Sequence, residues 1–105
     1  MSKNEQIKSD YLRKRYEKNP DIVSRKIADE IVLVPVRRRI GDIESIFALD
    51  EVGSFIWELI DGQKQVDGIK ELITKEFDVT DEQAEEDLIG LLKQLEEVGA
   101  IKELF

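Results

Sequence analysis

TDEQAEEDLIGLLKQLEEVGAIKELF, residues 80–105, reads as one amphipathic helix with both ends marked. Thr80 followed three residues later by Gln83 is a capping box, in which the Thr hydroxyl accepts the Gln83 amide and the Gln side chain returns to the Thr amide. Ala84, Leu88, Leu91, Leu92, Leu95 and Val98 recur at the three-and-four spacing of a buried stripe, and Gly99 stops the helix. Asp81, Glu82, Glu85 and Glu86 sit where the helix dipole favours negative charge. Only Ala100 to Phe105 follow, too little chain for the hairpin wing of a DNA-reading winged-helix module, so a ligand other than DNA is expected; Ala100 to Leu104 could add one edge strand.

Two more helices precede this one. Asp50 can cap a helix bearing Val52, Phe55, Ile56 and Leu59, ended by Asp61-Gly62, and a second helix presents Val66, Ile69, Leu72, Ile73 and Phe77. Upstream the period changes from helical to extended. The β-branched runs Ile22 to Ile27 and Ile31 to Val34 read as a hairpin, with Pro35 near the end of the second strand because it lacks a ladder donor. Ile43 to Leu49 reads as a third strand after the basic connection Arg37-Arg38-Arg39. The expected fold class is α+β, a three-stranded antiparallel sheet followed by three helices around one core, with Phe55 and Trp57 as its bulky members.

Residues 1–20 are expected to be a basic flexible tail and residues 21–105 the folded domain. Ile7, Tyr11, Leu12 and Tyr16 lie at near-helical spacing among six Lys and Arg, and Asn19-Pro20 breaks the pattern. A chain of 105 residues suits one domain. With 41% hydrophobic and 38% charged residues, it should have a modest core and a heavily solvated exterior.

Charge is divided unevenly. Residues 1–41 hold eleven Lys and Arg against six Asp and Glu, while residues 42–105 hold five against eighteen. The acidic helical part would repel a phosphate backbone, so neither nucleic acid nor a membrane is expected as partner. No apolar run approaches the ~20 residues that cross a bilayer, and no secretion signal opens the chain, which implies a cytosolic location. With no Cys and no His, disulfides, thiolate metal sites and the usual neutral-pH acid/base are excluded. Asp78 to Asp81 lacks the glycine and spacing of a calcium loop, and the six glycines are scattered singly, so neither a metal nor a phosphate-held cofactor is expected. Catalysis by neighbouring carboxylates such as Glu85, Glu86 and Asp87 is less plausible than a solvated helix face.

Two features point to binding instead. Arg37, Arg38 and Arg39 could grip an acidic partner segment or a phosphate through forked hydrogen bonds, or simply keep a turn in solution. The third strand, Ile43-Glu-Ser-Ile-Phe-Ala48, carries no Pro or Lys to blunt its edge. Unless the tail or residues 100–104 cover that edge, it offers main-chain hydrogen bonds beside an apolar helix, and an extended peptide could add as a strand. A DNA-binding regulator and a general interaction module that docks through the tail or the arginine turn are the rival readings.

The chain also resembles the PqqD-like proteins, which share the fold called the RiPP recognition element. The likeness runs from Pro20 to Ile101: Ile22-Val-Ser-Arg25 leading into Val32-Leu-Val-Pro35, Phe47-Ala-Leu-Asp-Glu-Val-Gly53, Ile56-Trp-Glu-Leu-Ile-Asp-Gly62, Asp87 to Leu95, and Glu97-Val-Gly-Ala-Ile101. Asp50 stands where the family often has Asn, and the basic tail is outside the shared pattern. The resemblance implies a wingless relative of the winged helix-turn-helix fold and a protein that is not an enzyme. It implies binding of the leader of a ribosomally made precursor peptide, presented to a maturing enzyme, commonly a radical S-adenosylmethionine enzyme; the namesake acts in pyrroloquinoline quinone biosynthesis. By position it assigns peptide binding to Glu44, Ser45, Ile46 and Phe47 of the third strand and to Asp87, Leu88, Leu91 and Gln94 of the third helix. A monomer or weak dimer is expected.

Overall fold

The computed structural model describes residues 10–35 and 47–105, and its elements follow the change of hydrophobic period along the chain. They are β1 (Arg15–Lys18), β2 (Ile22–Ile27), β3 (Glu30–Pro35), β4 (Phe47–Leu49), α1 (Glu51–Leu59), α2 (Val66–Glu76), α3 (Asp81–Glu97) and β5 (Ile101–Leu104). The fold is α+β, with the antiparallel sheet β2-β3-β4, three helices, and a two-stranded ribbon of β1 and β5.

Ile22 pairs with Pro35 and Ile27 with Glu30, which leaves Ala28-Asp29 as a two-residue turn. Ala28 takes the positive φ of 57° that such a turn demands of its first central residue. Along β3 and β4 the period of two sends Ile31, Leu33 and Leu49 into the core, whereas β2 is largely exposed on both faces.

Asp50 caps α1 as expected, its Oδ1 accepting the Gly53 amide at 2.7 Å. One turn on, the buried Ser54 hydroxyl accepts the Ile31 amide at 2.7 Å and donates to the Leu49 carbonyl at 3.3 Å, so α1 is hydrogen-bonded into the ladder between β3 and β4. Trp57 lies in the core, with the Lys18 Nζ 5.1 Å from its ring centroid, and Phe55 meets Phe77 edge-on at 5.3 Å. Between α2 and α3, Lys70 Nζ reaches Asp81 at 3.3 Å and Asp67 at 3.5 Å. Burial opposes the Lys70 charge, but these carboxylates outweigh it and hold the ammonium above its ordinary pKa.

Thr80 Oγ1 accepts the Gln83 amide at 3.1 Å, while the Gln83 side chain donates to Asp87 at 2.8 Å instead of returning to the Thr80 amide. Only half of the expected capping box is therefore made. At the other end Gly99, with φ 76°, donates to the Glu96 carbonyl and Ala100 to Leu95, a Schellman closure. Of the apolar stripe on α3, Ala84, Leu88, Leu92 and Leu95 are buried, Leu91 is half-buried and Val98 is exposed, so Val98 is corrected from core to surface.

Residues 10–18 also differ from expectation. In place of a loose amphipathic end there is a helical turn at 10–12 and then β1, which pairs with β5 from Arg15↔Leu104 to Lys18↔Ile101. The other flank of β1 is sewn to the connection between α1 and α2, where the Gly62 amide donates to the Tyr16 carbonyl and the Val66 amide to that of Lys14. Tyr11 and Tyr16 are buried, and both hydroxyls donate to Glu96 Oε1, at 3.3 and 3.0 Å. Burial first, then their mutual contact and the Glu96 charge, lifts the Tyr16 pKa far above its usual value, and burial likewise raises that of Tyr11. Asn19 closes the corner, its side chain donating to the Gly99 carbonyl and its amide to that of Ala100. The segment after Gly99 therefore does form a strand, but against β1 and not against the main sheet.

Candidate functional site

Peptide capture by strand addition needs a strand with one outward flank and an apolar wall beside it. Among the described residues β4 is the terminal strand of its sheet and pairs with β3 alone. Its direction follows from the register. Phe47 faces Leu33, and Leu49 faces Ile31 with the Ser54 hydroxyl inserted between their backbone groups. Phe47 and Leu49 therefore turn their backbone groups toward β3, and alternation turns those of Ala48 to the opposite flank.

Beside that flank, a hollow of ≈ 200 Å³ lies between β4, the start of α1 and the outer side of α3. Phe47, Asp87, Leu91 and Gln94, assigned from the sequence, all line it. Leu88 does not: fully buried, it packs in the core behind the wall. Glu44, Ser45 and Ile46, and the arginines Arg37, Arg38 and Arg39, lie outside the described residues.

The floor comes from residues outside the set expected to bind peptide. Val52 and Ile56 of α1, with Leu49 before them, close the hollow from below, and Asp50 and Gly53 complete its end. A signal for this existed. The Asp50 cap starts α1 directly after β4, so the i, i+4 pair Val52 and Ile56 begins where the open strand stops.

Gly90 stands on the exposed surface of α3. It lies on the same side of α3 as Asp87 and Gln94, three residues after one and four before the other, and a Cβ built there would meet nothing within 4 Å. A mid-helix glycine costs about 0.8–1 kcal/mol relative to alanine. Gly90→Ala should therefore raise stability by about that amount, read as a higher denaturant midpoint at unchanged slope.

A wider hollow of ≈ 960 Å³ opens between β1, the start of α2 and the end of β5, lined by Arg13, Arg15, Asp67, Glu71 and Glu103 among others. Its charges are of both signs, and it lacks the continuous apolar floor that anchors a peptide side chain. No helix among the described residues is long and apolar enough to cross a membrane.

Comparison with known proteins bears on this geometry. The family model described as "Coenzyme PQQ synthesis protein D (PqqD)" matches residues 30–101, a stretch that includes β3, β4 and all three helices. A solved structure described as "TbiB1 in Complex with the TbiA(beta) Leader Peptide" superposes with a TM-score of 0.69 at 31% sequence identity, covering 82% of this chain and 94% of the other. No curated protein matches the chain.

Proposed function

We propose that this chain, which belongs to the PqqD family, is a peptide-binding accessory protein that holds the leader of a ribosomally made precursor and presents the remainder to a maturation enzyme in the cytosol. The leader adds as a strand along the outward flank of β4. Alternate side chains then drop into the hollow between β4 and α3, and no bond is made or broken by the protein itself. The enzyme served is of the radical S-adenosylmethionine class, as the family's pattern implies. The carrying observation is the convergence of Phe47, Asp87, Leu91 and Gln94 on one hollow beside a terminal strand. The likeness to a structure whose description names a bound leader peptide supports the same reading.

Titration of ¹⁵N-labelled protein with synthetic leaders, drawn from short open reading frames beside its gene, tests this. Amide shifts should concentrate at residues 47–56 and 83–95 and spare the β1–β5 ribbon. Shifts confined to the ribbon, or none with any encoded leader, would overturn the proposal.

A further inference from the structure

The hollow is apolar below and acidic at its rim. Phe47, Leu49, Val52, Ile56 and Leu91 supply the lower surface, and Asp50 and Asp87 stand at its margin, with no Lys or Arg among the described residues that line it. At ≈ 200 Å³ it exceeds the ~150 Å³ cavity that accepts a benzene ring, so it takes one large apolar side chain. The two carboxylates are differently engaged. Asp50 Oδ1 is committed to the Gly53 amide as the cap of α1. Asp87 is exposed, and the Gln83 amide, at 2.8 Å from Oδ1, fixes its position while leaving further acceptor sites on the carboxylate. Lys93, the only cation within α3, lies about 120° round the helix from Asp87 and cannot neutralise it locally.

From this arrangement, and resting on the proposed peptide-binding role, we infer that the groove selects a guest strand with a large apolar residue in the hollow and a Lys or Arg two positions away that pairs with Asp87. Side chains two apart in a strand leave the same face, roughly 7 Å from each other. A guest bonded to β4 with its anchor over Leu91 thus directs the next side chain of that face along the α3 wall. A long cation can reach Asp87 there while its stem covers the apolar rim. Asp87 is on this view a specificity-determining residue, and the apolar anchor supplies most of the affinity.

Selection of a randomised heptapeptide display library on the wild-type protein and on Asp87→Asn, a change that keeps an acceptor for Gln83, tests the inference. Wild-type selections should pair an apolar residue with Lys or Arg two positions away, and Asp87→Asn selections should keep the apolar residue and lose the cation. In a selected peptide, Lys→Gln should weaken binding about two- to fivefold on the wild type, the upper part of the range of an exposed charge pair, and less than about 1.5-fold on Asp87→Asn. Apolar selections without a cation, or a cation preference that survives Asp87→Asn, would overturn the inference and leave strand addition standing. Failure to select any peptide that shifts the amides of β4 and α3 would overturn the proposed function and the inference with it.

Discussion

Replacing Tyr16 by alanine should destabilise the domain by about 3–5 kcal/mol, the usual cost of truncating a buried aromatic residue. The ring is 2% exposed, and its hydroxyl donates to Glu96 on α3 at 3.0 Å. Its main-chain carbonyl accepts the Gly62 amide, and the strand it lies in pairs with β5. Small domains hold only about 5–15 kcal/mol in all, so the variant should lose a large part of its stability and melt well below the wild type. A side chain in a solvated tail would change stability by less than about 0.5 kcal/mol when removed. Urea unfolding followed by Trp57 fluorescence separates these outcomes without ambiguity. Tyr16→Phe serves as the companion variant: it keeps the ring and loses one hydrogen bond, for about 0.5–1.5 kcal/mol. An alanine variant as stable as the wild type would return residues 10–18 to the status of a tail.

Why this segment escapes a reading of the sequence is a matter of range. The hairpin, the caps at Asp50 and Thr80 and the Gly99 stop are all written within a few residues, where propensity, turn chemistry and period act. The four residues of β1 find their partner in β5, more than eighty positions later, and three of the four are charged. Nothing local distinguishes Tyr16 in such a strand from Tyr16 on a frayed helix. The turn at Ala28 is a milder case, since no glycine announces its positive φ.

The groove was legible by half for a related reason. On α3 the core stripe of Ala84, Leu88, Leu92 and Leu95 and the groove stripe of Asp87, Leu91 and Gln94 lie side by side, about 100° apart. Hydrophobic period alone cannot say where one ends and the other begins; it sets Leu88 in the core stripe, where it is buried, whereas the family resemblance sets it in the groove. Val52 and Ile56 pose the converse problem. They belong to the stripe of α1 that meets the core, and only the position of β4 makes part of that stripe a floor. Packing, and not propensity, divides each helix between interior and site.

Ala48→Pro is the substitution aimed at the guest and not at the host. The backbone groups of Phe47 and Leu49 face β3, and alternation leaves the Ala48 N–H on the opposite flank, so proline there removes no bond of the β3–β4 ladder. Ala48 is exposed and its neighbours are already extended, which suits proline and the residue before it. Stability should fall by less than about 1 kcal/mol. Binding should suffer far more, because an incoming strand would lose a donor, keep a desolvated carbonyl and meet the proline ring. Leaving one such polar group unpaired costs about 1–3 kcal/mol, so affinity for a leader peptide should drop about tenfold or more. Ala48→Val, which keeps the N–H and adds comparable bulk, should bind within about threefold of the wild type. Calorimetric titration of the three proteins with one peptide decides the matter. If a folded Ala48→Pro variant binds as tightly as the wild type, the peptide does not pair with this strand.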